Sequence, residues 1–121
     1  MPNEKVVINL ATGLEDSERV TVAFLVATAA LDKGKDVVMF LTKEAVRIGL
    51  EGGAIGTACD GCPPVERLAR QFADGGGQLY VCPICFNARK LREENLVGHA
   101  KLAGATPLWE FIGEGATVFD Y

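Results

Sequence analysis

The chain has 121 residues, 49% of them hydrophobic and 23% charged, with a formal net charge of −4. That is enough for a single domain over residues 1–121 with a real core, and too little for two. The one basic cluster, Arg89, Lys90 and Arg92, is followed at once by Glu93 and Glu94, so nucleic acid is not expected as a partner.

Met1 to Lys5 lacks the basic and long apolar regions of a leader peptide. No stretch approaches the roughly 18–20 apolar residues of a membrane helix. A cytoplasmic protein with no membrane partner is expected.

Residues 5–10 read as a buried strand, followed by a loop from Ala11 to Asp16. Asp16 or Ser17 can cap the next helix, because their side-chain oxygens accept from its free N–H groups. That helix runs to about Lys33. Val20, Phe24, Ala27 and Leu31 recur at helical spacing, while Val22, Leu25, Val26 and Ala29 fill the flanks. A helix apolar nearly all round needs cover on more than one side, which a partner subunit would supply.

Gly34 suits the left-handed cap of that helix. Asp36 to Thr42 is a second strand, its unbroken apolar run fitting a central parallel position. A short helix is expected over Lys43 to Leu50, then a glycine-rich loop from Glu51 to Cys62. Pro63 and Pro64 open a further helix, stopped by Asp74-Gly75-Gly76-Gly77.

Gln78 to Val81 is a third strand. The helix after it, Pro83 to about Arg92, would carry Ile84, Ala88 and Leu91 on one face. Val97 to Ala103 holds a short strand. A last helix from Thr106 turns Leu108, Phe111 and Ile112 inward, and Ala116 to Tyr121 closes the chain as a strand. Strands alternating with helices imply a three-layer α/β/α sandwich around a mostly parallel sheet of about five strands.

All four cysteines fall in two C-x-x-C pairs, Cys59/Cys62 and Cys82/Cys85. Open α/β sheets carry their sites at the carboxyl ends of the strands. Cys82 follows the third strand and opens a helix, where free N–H groups and the helix dipole favour a thiolate. The helix leading into that strand starts just after Cys62, which puts the first pair on the same rim. Two chemistries use such a set. Four thiolates, Cys59, Cys62, Cys82 and Cys85, have the spacing of a tetrahedral zinc site. Alternatively, the thiols exchange disulfides or carry sulfur as a persulfide. No cofactor is needed for that second reading. Arg89, four positions after Cys85, can share its helix face and favour a thiolate. Asp16 and Glu15 lie in the loop on the same rim; capping explains Asp16, with a polar role at the site as the sharper option. His99, the lone histidine, is expected to be a surface or packed residue. Trp109 is expected in the core or at an interface.

The segment Leu79-Tyr80-Val81-Cys82-Pro83-Ile84-Cys85-Phe86-Asn87-Ala88-Arg89 resembles the cysteine segment of the DsrE/DsrF-like family, which includes TusD-like sulfur-relay proteins. Gly13 to Arg19 resembles the family's acidic first loop and helix start, Gly104 to Phe111 its last helix, and Ala116 to Phe119 its final strand. The resemblance implies the same α/β sandwich, assembled as a homo-oligomer, a trimer or hexamer. It implies a sulfur-relay or sulfurtransferase role in which Cys82, seven positions before Arg89, accepts sulfur and passes it on. A sulfur donor or acceptor protein would then be a partner, with Cys85 as the second thiol and Cys59, Cys62, Arg89 and Asp16 in support. Lys90 stands where a glycine often follows the arginine, and relay members lack a counterpart of Cys85. A small zinc-binding protein and a non-catalytic assembly subunit are the rival readings.

Overall fold

The computed structural model describes residues 4–121. Of the Met1–Lys5 stretch, positions 1–3 lie outside the described residues. Five strands form one sheet: β1 (Lys5–Leu10), β2 (Asp36–Leu41), β3 (Gln78–Val81), β4 (Ala100–Leu102) and β5 (Thr117–Asp120). Their order is β4-β3-β2-β1-β5 and every pairing is parallel. The central place of β2 explains its unbroken apolar run. Val37, Met39 and Leu41 point into one layer, and Val38 is buried in the other.

Four helices connect the strands: α1 (Ser17–Asp32), α2 (Val65–Asp74), α3 (Pro83–Ala88) and α4 (Ala105–Ile112). The steps from β1 to β4 all move the same way across the sheet, so right-handed crossovers put α1, α2 and α3 on one face. The return from β4 to β5 runs the other way and puts α4 opposite. Side chains agree. Ile8, Met39, Leu41, Leu79 and Val81 meet Phe24 of α1, Phe72 of α2 and Phe86 of α3. Each fully buried phenylalanine stabilises the fold by roughly 2–3 kcal/mol. Phe24 and Phe72 meet edge to face with ring centroids 5.9 Å apart. On the other face Phe111 of α4 packs on Tyr80 at 6.4 Å.

The short helix expected after β2 is present as a 3₁₀ helix over Lys43–Gly49. Ala45 and Ile48, like Val46 and Gly49, are buried three residues apart, and the three-per-turn helix stacks such pairs on one side. Several local expectations are corrected. The helix after β3 stops at Ala88, not Arg92. Ile84 is 81% exposed, and Phe86 is the buried anchor of α3. Trp109 is 70% exposed, so within the chain it is not core. Val22 and Leu25 of α1 also remain exposed, as expected for a helix apolar on more than one side.

Three helices end in the same motif. After α1, Gly34 N–H donates to Leu31 O and Lys35 N–H to Ala30 O; after α2, Gly76 donates to Ala73 O and Gly77 to Phe72 O. After α3, Lys90 N–H donates to Asn87 O (3.0 Å) and Leu91 N–H to Phe86 O (3.3 Å). This is the Schellman pattern, which requires a left-handed residue after the cap. Gly34 (φ 81°) and Gly76 (φ 91°) adopt it without steric cost, but at α3 the residue is Lys90 (φ 55°).

Candidate functional site

Cys82 extends the ladder by one rung beyond β3: its N–H donates to Leu41 O at 3.0 Å. The chain then turns into α3, with Pro83 in the first turn and Phe86 N–H donating back to Cys82 O at 3.0 Å. Phe86, buried against the sheet, fixes this turn in place. Cys82 and Cys85 are both free thiols and both half-buried. They differ in surroundings. Cys85 packs against the core cluster, and Cys82 is not part of it. Cys82 stands at the carboxyl end of an inner parallel strand.

Arg89 caps the other end of α3. Its Nε donates to Glu44 Oε2 at 2.5 Å, and its Nη1 donates to Cys85 O at 3.1 Å. Glu44 also accepts from Arg47 Nε at 2.9 Å. The Arg89 guanidinium, with Arg47 behind it, holds the Glu44 carboxyl below the usual carboxylate range. A Cβ at Gly13 would lie 2.8 Å from the Glu44 backbone, so the first loop packs directly on this residue. Glu44 thus ties the ends of β1, β2 and α3 together. The charge of Arg89 is committed to that carboxylate, and its fork steadies the backbone of the second thiol. The residues flanking this ion pair, Lys43 (φ 53°) and Lys90, are the two non-glycine left-handed residues among the described residues.

Cys59 and Cys62 are joined in a disulfide, with Cα atoms 5.1 Å apart. Asp60 and Gly61 form the turn between them; Cys62 N–H donates to Cys59 O at 3.0 Å, and Gly61 takes φ 76°. Cys59 Sγ lies 3.8 Å from Thr21 Oγ1 on α1. Of the four candidate zinc ligands, Cys59 and Cys62 are thus bonded to each other, while Cys82 and Cys85 are free. Among the described residues, no three His, Cys, Asp or Glu side chains converge as a metal site.

Asp16 does what capping requires: its Oδ1 accepts from Arg19 N–H at 3.1 Å. Glu15 accepts from Gly13 N–H at 2.9 Å, bracing the same loop. His99 sits just before β4, at the opposite end of the sheet from Cys82, and its carbonyl accepts from Leu79 N–H. It is half-buried beside Phe72, and burial pulls its pKa below the ordinary histidine value. It lines an apolar cleft of about 280 Å³ with Leu50, Ala54, Leu79 and Val97, in which no cysteine takes part.

Sequence reasoning missed Glu44, Thr21 and the strain at Lys90. Glu44 carried one signal, an acid in the turn that follows the second strand on the active rim. Thr21 carried another, a hydroxyl on the face of α1 that has to be buried.

A family model described as the DsrE/DsrF-like family matches residues 4–121. The chain belongs to this family. Its fold agrees with the YchN protein from E. coli, at TM-score 0.77 and 16% identity, covering 99% of this chain and 100% of that one. A conserved protein of unknown function from Bacteroides thetaiotaomicron, BT1422, superposes at TM-score 0.66 and 18% identity, covering 98% and 95% of the two chains. At such identities the agreement is one of fold. An uncharacterized protein from Methanocaldococcus jannaschii, MJ0760, is 25% identical over 112 residues. The match takes in 93% of this chain and 40% of that longer protein. Membership of the DsrE/DsrF-like family suggests a role of the sulfur-relay type. No helix among the described residues is long and apolar enough to cross a membrane.

Proposed function

We propose that this DsrE/DsrF-like chain is a cytoplasmic sulfur carrier that takes up sulfur as a persulfide at Cys82. The observation behind this reading is the position of Cys82: a free, half-buried thiol on the rung after an inner strand, at the mouth of α3. In the loading step the Cys82 thiolate attacks the terminal sulfur of a donor persulfide, R–S–SH. The donor S–S bond breaks, R–SH leaves, and Cys82–S–SH forms. The sulfur then passes to an acceptor thiol by the same exchange. In a second route Cys85 attacks the inner sulfur, closing a Cys82–Cys85 disulfide and releasing H₂S. Arg89 serves this site by holding the Cys85 carbonyl.

The reading includes a homo-oligomer, a trimer or hexamer. Exposed Val22 and Leu25 on α1, Trp109 on α4, and Val118 and Phe119 on the edge strand β5 supply apolar surface for it.

The test is mass spectrometry of the intact protein after exposure to a sulfane-sulfur donor. Added sulfur that disappears in Cys82→Ser and persists in Cys85→Ser supports the assignment. Sulfur retained in Cys82→Ser moves the carrier to another cysteine. No uptake by any variant leaves the assembly-subunit reading in its place.

A further inference from the structure

Thr21 is the buried polar side chain of the described core, 3% exposed, and it lies beneath the Cys59–Cys62 bridge. Its hydroxyl donates to Ser17 O at 2.7 Å and stands 3.8 Å from Cys59 Sγ. The bridge has two unlike ends. Cys59 Sγ faces this hydroxyl in a part-buried setting, whereas Cys62 Sγ lies near Asp60 O on the exposed side. The loop is also held by bonds other than the bridge. The Cys62 N–H to Cys59 O turn bond and the Val65 N–H to Thr57 O bond (2.9 Å) hold it from the backbone. Gly61 supplies the left-handed residue the turn needs. A bridge across so few residues also restricts the unfolded chain less than a long-loop disulfide does.

We propose that Cys59–Cys62 is a reversible thiol–disulfide exchange site for an external dithiol, with Cys62 as the attacked sulfur and Cys59 as the leaving sulfur. A thiolate of the dithiol attacks Cys62 Sγ. The Sγ–Sγ bond breaks and its electron pair stays on Cys59 Sγ, where the Thr21 hydroxyl turns to donate to the new thiolate. Cys59 then takes a proton. The second thiol of the dithiol attacks the mixed disulfide and releases Cys62 as a thiol. One disulfide is consumed and one formed, and two electrons pass to the protein. The site works without Cys82, so its fate is separate from that of the sulfur-carrier reading.

The experiment uses Cys82→Ser/Cys85→Ser protein, with the wild-type chain followed in parallel by peptide mapping of residues 48–67. Expected are no free thiol before dithiothreitol and two after it, an unchanged far-ultraviolet circular dichroism spectrum, and closure again in oxidised glutathione. Reduced glutathione, trapped by acid, should be found on Cys62. Thr21→Val should slow reduction by about fivefold, the loss of one hydrogen bond, and Thr21→Ser should keep the wild-type rate. Free thiols in the oxidised protein, loss of fold on reduction, or glutathione on Cys59 would each overturn the proposal. So would an unchanged rate in Thr21→Val, or equal slowing in both Thr21 variants.

Discussion

Glu44 and Arg89 stand 45 residues apart in the chain and 2.5 Å apart in the fold. One follows β2 and the other ends α3. The pair therefore links two neighbouring strand ends at the rim that carries Cys82. Because Arg89 also holds the Cys85 carbonyl, loss of either partner should loosen α3. Arg89→Ala is expected to speed alkylation of Cys85 by several-fold, with Glu44→Gln giving part of the effect. The double variant should resemble Arg89→Ala alone rather than add to it. Additive rates would remove the linkage.

Acid should act on the same pair. The Glu44 carboxyl is held below its ordinary value chiefly by Arg89. A group lowered in this way contributes stability that is present above its unfolded pKa and is lost as pH falls through its folded value. Denaturant midpoints of the wild type should therefore decline below about pH 4.5 more steeply than those of Glu44→Gln. Parallel curves would contradict this.

Lys90 occupies a left-handed position that two other helices of the chain fill with glycine. Lys90→Gly should stabilise the fold by about 0.5–1 kcal/mol, the relief of left-handed strain less the added freedom of the unfolded chain. Lys90→Val should destabilise it by a similar amount or more. Urea denaturation decides between these outcomes and a neutral pair of substitutions.

His99 gives a second pH effect, of different origin. Burial lowers its pKa, so the folded state favours the neutral ring. The unfolded chain binds the proton more readily, and stability falls as pH drops below about 6.5 toward the folded value. His99→Phe should flatten that part of the curve. An unchanged slope between pH 7.5 and 5.5 would assign it to other groups.

Gly77 tests the packing under β3. A Cβ there would meet the Phe72 ring at 2.3–2.6 Å, and Phe72 is fully buried against Phe24. Gly77→Ala should cost roughly 1–3 kcal/mol, as overpacking generally does. Thermal unfolding of the purified variant measures it.

The parallel sheet was legible because its signals are local. The apolar run at β2, the Asp16 cap and the glycine stops at Gly34 and Gly75–Gly77 each state their structure in a few residues. The position of Cys82 followed from the same strand–helix junction. What could not be read depended on contacts across the sheet. Glu44 looks like any solvated acid until β2 and α3 are side by side. Leu91, placed by spacing on the face of a longer helix, reaches the core through the reversal at Lys90 instead. The first cysteine pair was equally open: its spacing serves zinc and a bridge alike, and the Asp60-Gly61 turn and the approach to Thr21 of α1 are visible only in the fold.

Peptide mapping of the sulfur-loaded protein locates the carrier cysteine. Trypsin leaves Cys82 and Cys85 in residues 71–89, and Cys59 and Cys62 in residues 48–67. The added sulfur is expected on Cys82, with the second peptide still bridged. Sulfur on residues 48–67, or none on Cys82 while its thiol is free, would contradict it.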